Sequence, residues 1–307
     1  MDFTAKDFAG LFGIAENALP AACREIARAS DFHYEVPSGA AHDKIVLGIL
    51  QHLDSDKPTQ VGAQRADIWE ACWSDNLQKF VEGGYDPSRL VPDFMRPGQA
   101  IRLQRRYVVP RNPRFELDFF RVCRAFLFDR FFKDVRKVLE FGCGSGFNLI
   151  ALAEQLPGKE LYGLDWSKSS YEMVDLFREK LGINIKGMHF DFFNPDRRLA
   201  LGADAGVFTM CALEQVGPRH GEFLEFLLEK KPAICVNMEP TLELYDTASL
   251  ADYLAARYHR KRGYLDGYLT KLRELDAKGR IKILDTRRFD FGSTYHECYS
   301  FTAWKPL

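Results

Sequence analysis

Apolar residues recur at helical spacing in the first part of the chain. Residues 41–53 and 66–81 place their apolar side chains three and four positions apart, which predicts two amphipathic helices. Prolines interrupt residues 83–113, so turns and extended chain are expected there. Residues 115–132 are dense in phenylalanine, which predicts a mostly buried helix. We therefore expect residues 1–115 to form a mainly helical N-terminal cap.

From residue 137 onward, short apolar runs alternate with helical stretches. The runs that predict strands are 138–141, 161–164, 183–190, 205–210 and 233–238. The helices expected between them are 148–155, 169–181 and 223–228. Strands that alternate with helices in this way indicate βαβ units and a parallel sheet.

The last part of the chain departs from this alternation. A long helical stretch, 250–278, precedes two apolar runs, 281–289 and 298–304, and only residues 290–297 join these runs. Because a parallel crossover needs about a dozen residues or more, this last pair of strands is expected to be antiparallel. The predicted fold is α/β, with a mostly parallel seven-stranded sheet whose last strand is antiparallel.

Composition and charge exclude several classes of protein. The 307 residues include 42 Lys+Arg and 43 Asp+Glu, a net charge of −1, unlike a strongly basic nucleic-acid coat. An apolar content of 46% and an aromatic content of 13% exclude a disordered acidic chain. Seven scattered cysteines without C-x-x-C spacing indicate reduced thiols, and no histidines show metal-ligand spacing, so no metal is proposed. Without a signal pattern or a spanning apolar run, the expected location is the cytoplasm, with no membrane contact.

The strongest chemical signal is a glycine-rich turn between a predicted strand and a predicted helix. Residues 140–146 read Glu-x-Gly-x-Gly-x-Gly. Glycines allow positive φ and close approach of a ligand, and a helix start offers free N–H groups. Asp165 and Asp191 end the next two predicted strands, and an acid at this edge can accept ribose hydroxyls. The alternative interpretation of the loop is a tight turn between strand and helix that binds no ligand. The alternative for Asp191 is an acid that caps a helix or stabilises a turn.

These features resemble the class I S-adenosylmethionine-dependent methyltransferases, over about residues 136–304. The resemblance implies a Rossmann-like fold, an antiparallel last strand and S-adenosyl-L-methionine as cofactor. It implies loop glycines against the methionine part, Asp165 on the ribose and Asp191 on the adenine amino group. The implied cofactor-binding residues are Glu140, Gly142, Cys143, Gly144, Gly146, Asp165, Trp166, Asp191, Phe192 and Thr209.

A nicotinamide-dependent oxidoreductase is the main rival for this loop. The dinucleotide fingerprint G-x-G-x-x-G needs its third glycine one position later, where this chain has Phe147.

The domain division expected from the resemblance is a cap, 1–115, and a cofactor-binding domain, 116–307, with a helical insertion at about 241–279.

Candidate catalytic residues follow from position. Glu214 and Glu239 each follow a strand at the expected ligand edge, and His259 and Tyr264 lie in the inserted helical segment. A base near an acceptor proton assists methylation of a hydroxyl. Loop chemistry is the alternative for the two glutamates, and a solvated basic helix face is the alternative for His259 and Tyr264.

Positive charge is concentrated just before the glycine loop. Residues 100–137 hold eleven basic and four acidic side chains, a net +7, which leaves −8 for the rest of the chain. Arginine suits forked contacts with phosphate or carboxylate. We therefore expect Tyr107 with Arg106, Arg111 or their neighbours to close the site over an anionic substrate or the cofactor carboxylate. The alternative is that these arginines lie on the surface and pair with acidic side chains from the rest of the chain.

The function expected from the sequence is methyl transfer to an oxygen or nitrogen of a small, anionic or sugar-like metabolite. One alternative is methylation of a protein or RNA. After the fourth strand the chain has Thr209-Met-Cys-Ala, not the Asp/Asn-Pro-Pro-Tyr/Phe motif of enzymes that methylate base amino groups, which argues against methylation of a base amino group. The chain also has no Lys/Arg tail or separate basic module, so nucleic acid is not the expected partner. Another alternative is a module that binds the cofactor without turnover. The acceptor, the role of the cap and the oligomeric state stay open.

Overall fold

The computed structural model describes residues 1–57, 59–92 and 98–307. The strands are β1 (Tyr34–Glu35), β2 (Ile101–Leu103), β3 (Arg106–Pro110), β4 (Lys137–Phe141), β5 (Glu160–Asp165), β6 (Ile185–His189), β7 (Ala205–Met210), β8 (Ile234–Met238), β9 (Ile281–Arg287), β10 (Phe291–Gly292) and β11 (Phe301–Pro306). The α-helices are α1 (Ala5–Phe12), α2 (Ala21–Ala29), α3 (Ala40–Asp54), α4 (Ala66–Glu82), α5 (Phe115–Phe131), α6 (Phe147–Gln155), α7 (Lys168–Leu181), α8 (Gly221–Lys230), α9 (Leu250–Arg262) and α10 (Tyr268–Ala277). Short 3₁₀ helices cover Glu16–Ala18, Ala63–Arg65, Pro87–Leu90, Leu213–Arg219 and Leu242–Leu244.

The central sheet has the strand order β6-β5-β4-β7-β8-β11-β9. The first five of these strands are parallel, and β11 is antiparallel to both β8 and β9. The predicted fold class is therefore confirmed. The chain order reverses on either side of β4, and ligands of open α/β sheets bind in the crevice at such a switch point.

Helix α5 is buried on nearly every side, as the phenylalanine density predicts. Thirteen of its seventeen residues are buried. The ring of Phe126 stacks on Phe12 of α1, with centroids 4.0 Å apart, and Phe119 stacks on Phe291 of β10 at 3.7 Å. These contacts belong to one hydrophobic cluster that extends from α1 and α2 to the strands of the central sheet. A domain boundary at residue 115 stays a prediction.

A second, antiparallel sheet has the order β1-β3-β2-β10. The sequence predicts turns and extended chain over residues 83–113, and within this stretch the structure pairs β2 with β3. It predicts no strand at β1 or β10. In β10, Phe291 pairs with Leu103 of β2. The strands of this sheet are only two to five residues long, which is too short to show an alternation of apolar and polar residues. Contacts with segments far away in the chain make them extended.

The long helical stretch expected at 250–278 is divided in two. Gly263 follows α9 in the left-handed region, with φ of 63°, and its N–H closes the last turn of the helix. Glycine adopts this conformation at low cost and commonly ends a helix. The break turns Tyr264 inward, where it is buried.

Four buried charges connect the small sheet, α9 and the segment before β11. Arg102 of β2 lies 2.9 Å from Asp252 and 3.3 Å from Glu297, measured between nitrogen and carboxylate oxygen. Arg288 lies 2.6 Å from each of the same two carboxylates. Arg102, Asp252 and Glu297 have no exposed surface. We call these four side chains the ion network; Nε of Arg288 also lies 3.0 Å from Asp290, at the partly exposed edge of the network.

Removal of one cation from the ion network should destabilise the fold strongly. We expect Arg102→Met to lower the free energy of unfolding by about 3–5 kcal/mol, because two buried carboxylates would share one guanidinium. Urea unfolding measures this change. The matched control is Arg105→Met, since Arg105 forms a partly exposed ion pair with Asp290 and should cost less than about 1 kcal/mol. Equal losses in the two variants would contradict this account of the network.

Candidate active site

The glycine loop between β4 and α6 has a backbone that only glycine fits. Gly142, Gly144 and Gly146 have φ of 71°, 52° and 70°. A Cβ atom on Gly142 would lie 2.4 Å from the Cβ of Ala212, and one on Gly144 would lie 2.7 Å from the ring of Trp73. Both distances are too short for carbon atoms, so the loop forms a cradle that a larger residue would fill.

Asp165 holds the loop in place from the end of β5. Its Oδ2 accepts a hydrogen bond from the N–H of Gly144 at 2.9 Å, and its Oδ1 accepts one from Ser167 at 2.9 Å. Burial raises the pKa of Asp165 to about 6. Each oxygen keeps a lone pair, so this carboxylate can accept further hydrogen bonds from a ligand.

Glu140 presents a free carboxylate oxygen to the crevice. Its Oε1 accepts a hydrogen bond from Nδ2 of Asn148 at 2.7 Å, and Arg124 donates to Oδ1 of Asn148 at 2.9 Å. Oε2 of Glu140 is buried without a hydrogen-bond partner among the described residues. Burial raises the pKa of this carboxyl to about 8. A buried polar oxygen without a partner is costly, and a cationic ligand group would satisfy it.

The glycine-loop cavity, as we call it, encloses about 940 Å³ that is partly open to solvent. Helix α4 of the cap covers it, with the rings of Trp69 and Trp73 stacked 5.6 Å apart. Glu70 of the same helix fixes α4 in place, because its carboxylate accepts hydrogen bonds from the hydroxyls of Ser167 and Ser169, both at 2.6 Å. The cap therefore forms one wall of the cavity.

Seven of the ten residues expected to bind a cofactor line this cavity. These are Glu140, Gly142, Cys143, Gly144, Asp165, Trp166 and Phe192. The other three do not line it. Gly146 packs against Phe177, Oδ1 of Asp191 accepts the N–H of Phe193 at 2.8 Å, and the buried hydroxyl of Thr209 accepts a hydrogen bond from Asn237 at 3.0 Å.

A second cavity of about 1300 Å³ opens beside the first. The two share wall residues Trp69, Cys211, Gln215 and Tyr299. We call the second one the tyrosine cavity, because four tyrosines line it. They are Tyr258, Tyr264, Tyr295 and Tyr299.

Glu214 and His296 lie together in the wall of the tyrosine cavity. Nε2 of His296 is 3.8 Å from Oε2 of Glu214, and this oxygen has no hydrogen-bond partner among the described residues. Burial raises the pKa of Glu214 to about 7 and lowers that of His296 to about 3. A carboxyl that titrates near neutrality beside a neutral imidazole can take up a proton from a bound molecule.

Glu239 and His259, the other candidate catalytic residues, line neither cavity. The carboxylate of Glu239 accepts hydrogen bonds from the N–H groups of residues 212–214, at 3.1–3.2 Å. Glu239 therefore shapes the turn that presents Glu214. The ring of His259 is buried against Tyr264 and His296, and burial lowers its pKa well below the usual range. It supports the wall from behind.

Of the four residues expected to bind substrate, one lines a cavity and three do not. Tyr264 lines the tyrosine cavity. Arg106 and Arg111 lie exposed on and after β3, and neither lines either cavity. Tyr107 is buried, 3.4 Å from a guanidinium nitrogen of Arg102. Most neighbouring arginines instead pair with acidic side chains.

Sequence reasoning missed several wall residues. Phe120 and Phe147 line the glycine-loop cavity, and Tyr299 and Gln215 line both. His296 carried no signal, because it lies in a loop without a motif. One positional signal could have identified His296. The loop that carries it precedes the antiparallel last strand, so it lies at the ligand edge of the sheet.

Residues 1–57, 59–92 and 98–307 have neither a metal-ion cluster nor a membrane-spanning helix. They contain no group of three or more His, Cys, Asp or Glu side chains placed to hold a metal ion. They also contain no helix that is long and apolar enough to span a membrane.

The strand order, with the glycine loop after the central strand and Asp165 after its neighbour, defines the fold of the class I S-adenosylmethionine-dependent methyltransferases. No protein-family model matches the chain, and no curated protein matches it. The O-methyltransferase NcsB1 from neocarzinostatin biosynthesis, in complex with S-adenosyl-L-homocysteine, is 15% identical over 99% of this chain and 89% of its own, with a TM-score of 0.47.

Two other solved structures are similar over part of the chain. A SAM-dependent methyltransferase from Aquifex aeolicus is 14% identical over 57% of this chain and 84% of its own, with a TM-score of 0.41. Geranyl diphosphate C-methyltransferase from Streptomyces coelicolor is 11% identical over 64% of this chain and 86% of its own, with a TM-score of 0.43. At these identities and scores, none of the likenesses carries a statement about substrate or catalytic residues.

Glu140→Gln should stabilise the protein increasingly as pH rises. Burial raises the pKa of the Glu140 carboxyl from its ordinary value of 4.5 to about 8 in the folded chain. Between these two pH values the folded chain holds a proton that the unfolded chain has lost, so the stability of the wild type falls as pH rises. We expect the gain in free energy of unfolding to grow by about 2–4 kcal/mol between about pH 5 and about pH 8 in urea unfolding. The control is Glu154→Gln, which removes an exposed acid on α6. A gain independent of pH would contradict the placement of Glu140.

Proposed function

We propose that this protein transfers a methyl group from S-adenosyl-L-methionine to an oxygen or nitrogen of a small molecule bound in the tyrosine cavity. The observation that carries the proposal is the junction of the two cavities. One is built on a glycine cradle with two buried carboxyls, and the other has a proton-accepting carboxyl at its wall.

The residues of the glycine-loop cavity fit the cofactor. Oε2 of Glu140, buried without a partner, would hold a cationic amino group. Asp165 would accept hydrogen bonds from ribose hydroxyls, and the ring of Trp166 would pack against the base. When bound, S-adenosyl-L-methionine supplies an electrophilic methyl group on a positively charged sulfur.

The residues of the tyrosine cavity would prepare the acceptor. Glu214 would accept the proton of an acceptor hydroxyl or protonated amine through its carboxylate, which would leave a lone pair free on the acceptor atom. Glu239 holds the backbone of this turn, and His296 limits where the carboxylate can move. Alignment provides much of the rate enhancement in a direct displacement, so the rigid aromatic walls are part of the mechanism.

A small acceptor is favoured over a protein or RNA by the position of α4. Trp69 of this helix lines both cavities, and Glu70 anchors the helix to α7. The reacting centre is therefore covered by the cap, and enclosed aromatic cavities with a few polar groups are typical of small-molecule sites.

Binding of S-adenosyl-L-homocysteine tests the cofactor assignment. We expect calorimetric binding to the wild type and a loss of about tenfold or more in Asp165→Ala, because hydrogen bonds to a buried carboxylate are removed. Asp165→Asn, which keeps one oxygen for Gly144, separates ribose binding from loop collapse. The control is Asp196→Ala, since Asp196 pairs with the exposed Arg198 and lines neither cavity. No binding at millimolar ligand would overturn the proposal.

Transfer of labelled methyl groups to a panel of phenols, hydroxy acids and amines tests turnover. Because burial raises the pKa of Glu214 to about 7, kcat with the best acceptor should rise with pH and level off above about 7. Glu214→Gln should lower kcat by about 10²–10⁴-fold and abolish this rise. The control is Glu116→Gln, because burial also raises the pKa of Glu116 to about 7 in the same cavity. A pH profile that disappears in the control and persists in Glu214→Gln would exclude Glu214 as the base.

A further inference from the structure

Two arginines in the tyrosine cavity have no carboxylate partner. Arg262 ends α9 and is 8% exposed, and Arg65 ends the 3₁₀ helix before α4. Their hydrogen bonds go to the hydroxyl and carbonyl oxygens of Thr59, and Nε of each is buried without a partner among the described residues. No ion pair within residues 1–57, 59–92 and 98–307 involves either guanidinium. Arg102, by contrast, has two carboxylates.

The two guanidiniums are close enough to repel each other. Burial lowers the pKa of Arg65, and the positive charge of Arg262 lowers it further. Lys57 adds a third positive charge to the same wall. Like charges in a partly buried position destabilise a protein unless an anion lies between them. Burial raises the pKa of Glu214 and the positive charge of Arg262 offsets part of this rise, yet no carboxylate within the described residues forms an ion pair with either guanidinium.

The aromatic rings around these arginines fix their orientation. The guanidinium carbon of Arg262 lies 5.0 Å from the centroid of the Tyr264 ring, and that of Arg65 lies 5.7 Å from the Trp69 ring. The rings of Tyr258 and Tyr295 stack at 5.3 Å with an angle of 18°. A guanidinium that lies over an aromatic face keeps N–H groups for a forked contact with an oxyanion.

We propose that the methyl acceptor carries an oxyanion, a carboxylate or a phosphate monoester, that binds Arg65 and Arg262, on a planar body that lies among the tyrosines. This inference rests on the proposed function, since it names the class of acceptor for the same cavity. The methyl-accepting group would face Glu214 and the anion would face the arginines. An anionic substrate was expected at Arg106 and Arg111, and the structure assigns it to a different pair.

Calorimetry on the protein saturated with S-adenosyl-L-homocysteine tests the anion site. The probes are salicylate, phenyl phosphate and the neutral salicylamide, and the first two distinguish a carboxylate site from a phosphate site. We expect at least one anion to bind about tenfold or more tightly than the amide. Arg262→Gln should weaken that anion by about 10–100-fold, because charge-assisted hydrogen bonds are lost, and leave S-adenosyl-L-homocysteine binding unchanged.

The matched control is Arg260→Gln, an exposed arginine on the same helix, which should leave all affinities unchanged. Arg65→Gln is the second variant, should Arg262→Gln fail to fold. Equal affinities for the anions and the amide, or an anion that binds wild type and Arg262→Gln equally, would overturn the inference. Failure of the wild type to bind S-adenosyl-L-homocysteine would instead overturn the proposed function, so the two failures are distinguishable.

Discussion

The ion network holds together the parts of the chain that form the tyrosine cavity. Arg102 belongs to the small sheet, Asp252 to the first turn of α9, and Glu297 to the segment before β11. Buried charges are costly to remove from water, and here each is offset by at least two opposite charges and by further hydrogen bonds. Helix α9 carries Tyr258 and Arg262, so the network positions two of the elements that line this cavity.

Buried carboxyls divide into two groups by what their oxygens contact. Glu239, Asp252 and Glu297 are satisfied by backbone N–H groups or guanidiniums and shape the fold. Glu140 and Glu214 each keep one oxygen without a partner among the described residues, and each lines a cavity. An unsatisfied buried oxygen costs stability, so its position at a cavity wall is better explained by a ligand than by folding. The same reasoning applies to the cationic side chains of Arg65 and Arg262, whose Nε atoms are buried without a partner among the described residues. Here an anionic ligand would satisfy them.

Much of the fold followed from local patterns. The strands of the central sheet show as apolar runs because both faces of a parallel sheet are covered, and α5 shows as phenylalanine density because it is buried on nearly every side. The small sheet left no such pattern, since its strands are two to five residues long and β10 pairs with a strand almost two hundred positions earlier. The division of the long helical stretch depended on one residue, Gly263, whose left-handed backbone a helical period does not reveal.

The sequence by itself determined the glycine loop and Asp165, because a strand, a turn and a helix that follow one another directly bring their own residues together. It also determined that one strand is reversed, since residues 290–297 leave no room for a crossover helix. Only the tertiary structure decided which charges are paired. Arg105 and Arg262 look alike as basic residues in the chain, yet one meets Asp290 and the other meets no carboxylate within the described structure. Electrostatic partners depend on distances in space, and these arise only when segments far apart in the chain are packed against one another.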